Sequence, residues 1–264
     1  MKGLDNVIYS YIIIGLPAYN EEGALPKLFD KLLFLRDVYG DKFRIIVVND
    51  GSSDNTENIL KEYKKCYGFV DYINHEGNQG LGRAIYTLFC YASQNYDKND
   101  ILVTLDADNT HNPNIIPKMV EKLVKEKLDV VIASRFAPGG KEIGLSTERK
   151  IYSRGAAAFL KIFFPISNVH DYSCGFRAYD IGYLDRAMEV YGENLVTSKG
   201  FECMAEILVR FSKIGVKAGE YPLVLEYNLK EGQSKMKVLN TIKGYFSLIH
   251  RVKKPTRKRG EVNE

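Results

Sequence analysis

Ile101-Leu102-Val103-Thr104-Leu105-Asp106-Ala107-Asp108 is a continuous apolar run that closes on two carboxylates one residue apart. A run of this length reads as a buried strand, and in open α/β sheets the polar residues just past the strand ends line the ligand crevice. Carboxylates so spaced can share one hard cation, and a divalent ion there neutralises the charge that builds on a departing diphosphate. An isolated Asp-x-Asp more often ends a strand and satisfies turn amides, so its meaning depends on the surrounding chain.

Outward from this stretch, β-rich runs at Ile12 to Leu16, Arg44 to Asn49, Val70 to Asn74, Ile101 to Asp106 and Val130 to Ser134 alternate with amphipathic segments. The helical segments are expected over Gly23 to Val38, Thr56 to Cys66, Leu81 to Gln94 and Ile115 to Lys125. Such alternation predicts a mostly parallel, Rossmann-like sheet wrapped by helices. Polar clusters follow the strands: Pro17-Ala18-Tyr19-Asn20-Glu21-Glu22 after the first and Asp50-Gly51-Ser52-Ser53-Asp54 after the second. A dinucleotide site would place Gly-x-Gly-x-x-Gly after the first strand, and Leu16 to Gly23 has no such loop. The glycine-rich Gly77-Asn78-Gln79-Gly80-Leu81-Gly82 lacks a Walker lysine, which disfavours a P-loop enzyme.

A chain of 264 residues, 45% of them hydrophobic, can bury a sizeable core in one large domain. The organisation expected is a catalytic domain over residues 1–237 followed by an amphipathic helix and basic tail over 238–264. Cys66, Cys90, Cys174 and Cys203 lie far apart without a Cys-x-x-Cys pair, indicating neither a zinc knuckle nor a disulfide framework and suiting a reducing cytoplasm. Neither a signal peptide nor a membrane-spanning run is read: Tyr11 to Leu16 is too short, and Ala156 to Ile166 is interrupted by Lys161 and Pro165.

The net charge of +4 is concentrated at the C-terminus, where Arg251, Lys253, Lys254, Arg257, Lys258 and Arg259 exceed it on their own. Val238, Ile242, Tyr245, Ile249 and Val252 precede them at helical spacing, with Leu239 and Phe246 widening the stripe. Two readings stand: a helix packed on its own core with a solvated tail, or a peripheral anchor on the cytoplasmic face of an anionic membrane. No aromatic-interleaved basic stripe supports nucleic-acid binding.

Taken together, the motifs resemble the family 2 glycosyltransferases of GT-A fold, in the dolichol-phosphate mannose synthase-like, polyprenyl-phosphate branch. Pro-Ala-Tyr-Asn-Glu-Glu at 17–22, Val-Asn-Asp-Gly-Ser-Ser-Asp-Asn-Thr at 48–56, Asn-Gln-Gly-Leu-Gly-Arg-Ala at 78–84 and Asp-Ala-Asp-Asn-Thr-His at 106–111 occur in the family's order. Ala-Ser-Arg at 133–135, Asp-Tyr-Ser-Cys-Gly-Phe-Arg-Ala at 171–178 and Gly-Gln-Ser-Lys-Met at 232–236 resemble its later motifs, so the likeness covers about residues 10–240.

The resemblance implies a nucleotide pocket of Pro17, Tyr19, Glu21, Val48, Asp50 and Ala107, with Tyr19 stacking on the base and Asp50 accepting from a ring nitrogen. It implies Mg²⁺ or Mn²⁺ on the diphosphate, with Asp108 a direct ligand and Asp106 set toward the sugar or a metal-bound water. Thr110 stands where the branch often has a metal-contacting glutamine, and it serves by hydroxyl or through water. Lys235 would close over the diphosphate. Leu229 occupies the position, six residues earlier, where mannose-transferring members commonly carry arginine.

A hydroxyl acceptor needs a carboxylate base, whereas a phosphate monoester is already anionic and needs cations. Arg135, then Arg149, Ser153 and Arg154 on a helical stretch, are candidates for a phosphate clamp, and Arg149 and Ser153 share a face. Asp171 to Arg177 is expected beside the acceptor, with Gly175 permitting close backbone approach and Arg177 supplying a cation or an ion pair. The expectation is a metal-dependent, inverting transferase moving sugar from GDP-mannose or a UDP-sugar to a polyprenyl phosphate. One alternative uses Glu202 as base for a glycan hydroxyl, with Glu206 as its neighbour on the helix; another is a non-catalytic nucleotide-sugar-binding scaffold.

Overall fold

The computed structural model describes residues 11–229 and 238–252. The chain runs β1 (Ile12–Ala18), α1 (Ala24–Leu32), α2 (Phe34–Tyr39), β2 (Phe43–Asn49), α3 (Thr56–Cys66), β3 (Val70–Asn74), α4 (Leu81–Asn95), β4 (Ile101–Thr104) and α5 (Ile116–Lys125). It continues through β5 (Val130–Ser134), β6 (Lys141–Ile143), α6 (Thr147–Phe163), β7 (Arg177–Asp180), α7 (Ile181–Tyr191), α8 (Cys203–Lys213), β8 (Ala218–Pro222), β9 (Val224–Glu226) and α9 (Val238–Arg251). Seven strands form the central sheet in the order β3-β2-β1-β4-β7-β5-β8, and β6 and β9 form a separate two-stranded ribbon.

The strands that carry the first three polar loops are buried almost throughout, which is why they read as continuous rather than alternating apolar runs. They pair in parallel, so Ala18, Asn49 and Thr104 end on one edge and deliver the loops that follow to a single crevice. The departure from a parallel sheet is β7, antiparallel to both β4 and β5. It is fastened by Arg177, fully buried and donating to the carbonyls of Cys174, Met204 and Tyr172. Arg177 therefore knits backbone together, and the expected role as an acceptor-side cation or ion pair is corrected.

The helix expected over Gly23 to Val38 is two, meeting at Leu33, whose torsions remain helical. In α9, Tyr245 and Leu248 are buried, as is Val252 just beyond it, and Phe246 meets Phe159 of α6 with ring centroids 4.6 Å apart. No helix among the described residues is long and apolar enough to cross a membrane. The 232–236 motif with Lys235, and the tail beyond Val252, lie outside the described residues.

Candidate active site

The loops after β1 and β2 lock to each other through short polar side chains. Asn20, with φ of 51°, donates its backbone N–H to Ser52 Oγ (2.9 Å) and accepts from Ser53 N at its Oδ1 (2.8 Å). Asparagine tolerates this left-handed backbone better than most residues. Glu21 N donates to Thr56 Oγ1 (2.9 Å), and Glu22 accepts from Asn55 N (2.9 Å). A third loop joins at Gly80 and Gly82: Gly82 N donates to Lys199 O (3.1 Å), and a Cβ at Gly82 would lie 1.8 Å from Ser198 O. Only a residue without a side chain allows that approach.

These loops enclose a cavity of about 650 Å³ lined by Pro17, Tyr19, Glu21, Asp50, Ala107, Asp106, Asp108 and Lys199 among others. That size lies in the range of small-molecule sites. Val48, expected in the pocket, is fully buried in β2 and lines neither cavity of the site, because its side chain belongs to the sheet core. Asp50 is 3% exposed and accepts from Gln79 N (3.0 Å) and Gly80 N (2.8 Å), where α4 begins with the positive end of its dipole.

Asp106 and Asp108, with Phe201 and Thr241, line both this cavity and a second, smaller one. Thr110 donates through Oγ1 (2.6 Å) and N (3.1 Å) to Asp108 Oδ1, so its hydroxyl orients this carboxylate. Gly175 packs so close that a Cβ there would stand 3.3 Å from Asp106 Oδ1. Among the described residues no third His, Cys, Asp or Glu joins the pair into a closed metal cluster. Two hard carboxylates with the remaining positions left to phosphate oxygens suit Mg²⁺ or Mn²⁺ rather than a structural zinc. The charge balance agrees: Glu21, Asp50, Asp106, Asp108 and Glu202 line the larger cavity against one lysine, Lys199, among its described residues. A bare diphosphate would be repelled there; one carried with a divalent ion would not.

The second cavity is lined mainly by apolar side chains, including Leu145, Tyr152, Ala156, Leu225 and Tyr245, together with Arg135, Arg149, Ser153 and Ser173. Arg135 is not a free clamp. Its Nε and Nη2 meet the two oxygens of Asp171 at 2.7 and 2.8 Å, Nη2 also reaches Ser173 Oγ (2.7 Å), and Glu142 lies 3.4 Å from Nη1. Burial alone would raise the Asp171 carboxyl, but the guanidinium overrides it and holds Asp171 below the usual carboxylate value. Arg135 thus shapes the wall with its charge already balanced, which corrects the expectation of a clamp at this position.

Arg149, in the first turn of α6, is stacked against the Tyr227 ring, its Cζ 5.4 Å from the centroid, and donates to the Tyr227 hydroxyl. Among the described residues, it is the cation of this cavity that makes no carboxylate salt bridge. Ser153, one turn on, lines the same wall. Arg154 is exposed and lines neither cavity. Burial pushes the Cys174 thiol up to about 12, which makes it an inert part of the lining. Glu206 is buried on Thr197, Ser198 and Arg210, and so braces the loop that carries Lys199. Lys199, Phe201 and Tyr227 carried no sequence signal of their own; they enter the site through packing from distant segments.

A crevice at the carboxyl edge of a mostly parallel sheet, with an Asp-x-Asp at the meeting of two cavities, fits a glycosyltransferase of GT-A fold. The chain belongs to glycosyl transferase family 2, whose profile matches residues 13–187. It is 32% identical over 245 residues to a dolichol-phosphate mannosyltransferase of Pyrococcus furiosus, covering 90% of this chain and 62% of that protein. It is 30% identical over 222 residues to an undecaprenyl-phosphate mannosyltransferase of Micrococcus luteus, covering 84% and 85% respectively. It is 28% identical over 247 residues to a dolichyl-phosphate β-glucosyltransferase of Trichomonas vaginalis, covering 90% and 72%. Among solved structures, glucosyl-3-phosphoglycerate synthase of Mycobacterium tuberculosis, in complex with Mn²⁺, UDP and phosphoglyceric acid, superposes with a TM-score of 0.67 at 19% identity, covering 94% of this chain and 80% of that one. By its family the chain is a glycosyltransferase, and it spans less than two thirds of the length of the Pyrococcus furiosus relative.

Proposed function

We propose that this protein is a metal-dependent, inverting transferase that moves a hexose from a nucleotide-diphosphate sugar, GDP-mannose or a UDP-sugar, to a polyprenyl phosphate. One observation carries the acceptor reading: among the described residues, the only carboxylates lining the second cavity are Asp106 and Asp108. With both committed to the donor side, no carboxylate base is left among the described residues of this cavity for a hydroxyl, while Arg149 and Ser153 supply the cation and donor that an anionic phosphate needs. The relatives named as dolichol-, undecaprenyl- and dolichyl-phosphate transferases support the same acceptor class. Glu202, the base of the glycan alternative, lines the donor cavity instead.

In this reading Tyr19 stacks on the base, Asp50 accepts from it, and Glu21, Pro17 and Ala107 shape the pocket floor. Asp108, oriented by Thr110, and Asp106 would hold Mg²⁺ or Mn²⁺, which supplies charge neutralisation to the departing nucleoside diphosphate. Lys199 lines the same cavity and would give the diphosphate a cation from this chain. Arg149 and Ser153 hold the acceptor phosphate so that one of its oxygens attacks the anomeric carbon from the face opposite the leaving group. The apolar lining receives the first part of the lipid chain.

The same reading brings the protein to a membrane as a peripheral enzyme. Ile151, Tyr152, Ile162 and Phe163 of α6 and Phe246 of α9 are exposed, and no Asp or Glu occurs between Arg149 and Val169. An apolar, acid-free face beside the acceptor cavity suits an anionic bilayer, with the basic tail as a second contact. The test offers a panel of nucleotide sugars with Mg²⁺ or Mn²⁺, in parallel, to a short polyprenyl phosphate and to free glycans. Sugar on the lipid supports the proposal; sugar on glycans alone overturns it and makes Glu202 the candidate base.

A further inference from the structure

His75 lies behind the donor cavity, where no step described above uses it. Its side chain is 7% exposed, and its Nδ1 sits 2.7 Å from Asp50 Oδ1 while Nε2 sits 3.0 Å from Thr87 Oγ1. An ionised carboxylate can only accept, so Nδ1 carries the proton, and Nε2 accepts from the Thr87 hydroxyl in the neutral ring. The three residues come from separate elements: Asp50 follows β2, His75 follows β3, and Thr87 lies inside α4. This is a continuous chain of hydrogen bonds from the body of α4 to the cavity wall.

We propose that His75 is a positioning residue for nucleobase recognition: it holds the Asp50 carboxylate fixed in direction, so that the pocket selects bases presenting a ring N–H. The inference rests on the nucleotide-sugar reading above and deepens it. A carboxylate has about four acceptor sites. Among the described residues, Oδ1 of Asp50 takes His75 and Gln79 N, and Oδ2 takes Gly80 N. Three protein donors thus leave capacity for one ligand donor on a residue that lines the cavity. Uracil and guanine offer a ring N–H to such an acceptor, whereas cytosine and adenine offer a ring nitrogen lone pair at the equivalent edge. Without His75, Asp50 is left with the two loop amides and can rotate, and the distinction is lost.

The experiment measures affinities for UDP, GDP, CDP and ADP with Mn²⁺, by calorimetry, on wild type, His75→Leu, His75→Asn and Thr87→Val. Asparagine returns an N–H at the Nδ1 position, so His75→Asn separates positioning from packing. The expected result is that His75→Leu weakens the preferred nucleotide about tenfold, the size of one charge-assisted hydrogen bond. It also flattens the preference for ring N–H bases, while His75→Asn recovers most of both. Thr87→Val, the mildest change, weakens the preferred nucleotide about threefold, so the relay can be read even where His75→Leu does not fold. A folded His75→Leu protein with wild-type affinities and preference overturns the relay alone. A wild type that binds none of the four overturns the donor reading and the relay with it.

Discussion

Replacing Asp171 with alanine separates the role given to Arg135 from the one given to Arg149. Asp171 is fully buried and its two oxygens receive Arg135 Nε, Nη2 and N, Ser173 N and Oγ, and Cys174 N, at distances from 2.7 to 3.2 Å. Truncation leaves a guanidinium, 12% exposed, with Glu142 at 3.4 Å and Ser173 as its remaining side-chain polar partners among the described residues. Breaking a buried ion pair from one side costs about 3–5 kcal/mol, a large part of the roughly 5–15 kcal/mol of a whole domain. At about 2–4 °C per kcal/mol for a chain near this size, Tm falls by roughly 10 °C. Equilibrium unfolding in urea of Asp171→Ala, Arg135→Met and the double variant gives the coupling energy directly. The double variant should be much less destabilised than the sum of the two. Additive effects, or an Asp171→Ala protein within about 0.5 kcal/mol of wild type, would refute the claim that this pair is a structural unit. The same pair sets an acid limit. Because the folded Asp171 carboxyl lies below its unfolded value, its contribution is fully present above about pH 4. That contribution is lost as the pH falls through the folded value, and the acid limb of stability should flatten in Arg135→Met.

Three further outcomes follow from the geometry. Arg149→Ala removes the cation of the second cavity that makes no carboxylate salt bridge, and should raise KM for polyprenyl phosphate about tenfold or more while leaving donor KM and Tm nearly unchanged, which initial-rate kinetics against each substrate would show. Thr110→Val keeps the shape of Thr110 but deletes the 2.6 Å bond to Asp108; half-saturation by Mn²⁺ should rise about tenfold in a metal titration of activity. Charging the exposed face with Ile162→Asp and Phe163→Asp should abolish cosedimentation with vesicles containing phosphatidylserine without lowering transfer to a detergent-dispersed lipid phosphate.

The parallel half of the sheet was legible because β1, β2 and β4 are buried on both faces and so read as uninterrupted apolar runs between amphipathic helices. The antiparallel β7 was not. Four residues, Arg177 to Asp180, carry no period, and the strand is held by an arginine that bonds carbonyls of the preceding loop, Tyr172 and Cys174, and of the distant Met204. At the site, Tyr19, Asp50, Asp106, Asp108, Arg149 and Ser153 converge as the motifs suggested, because each sits at a strand end or on one helix face. Val48 faces the core rather than the pocket, because a strand residue inside a motif faces one or the other according to the pleat. The pairing of Arg135 is not legible locally, because its neutralising partner lies 36 residues away. Lys199 and Tyr227 were invisible for a related reason: a solitary lysine or tyrosine has no local pattern, and only tertiary packing brings it to the cavity.

The most direct test of the central claim follows the acceptor phosphorus. ³¹P NMR of a short polyprenyl phosphate incubated with the protein, its preferred nucleotide sugar and Mn²⁺-free Mg²⁺ buffer should show the monoester signal converting to a phosphodiester as the nucleoside diphosphate appears. Asp108→Asn should leave both substrates unchanged. Release of nucleoside diphosphate with the lipid monoester intact, or sugar appearing only on a hydroxyl of an added glycan, would contradict transfer to a lipid phosphate.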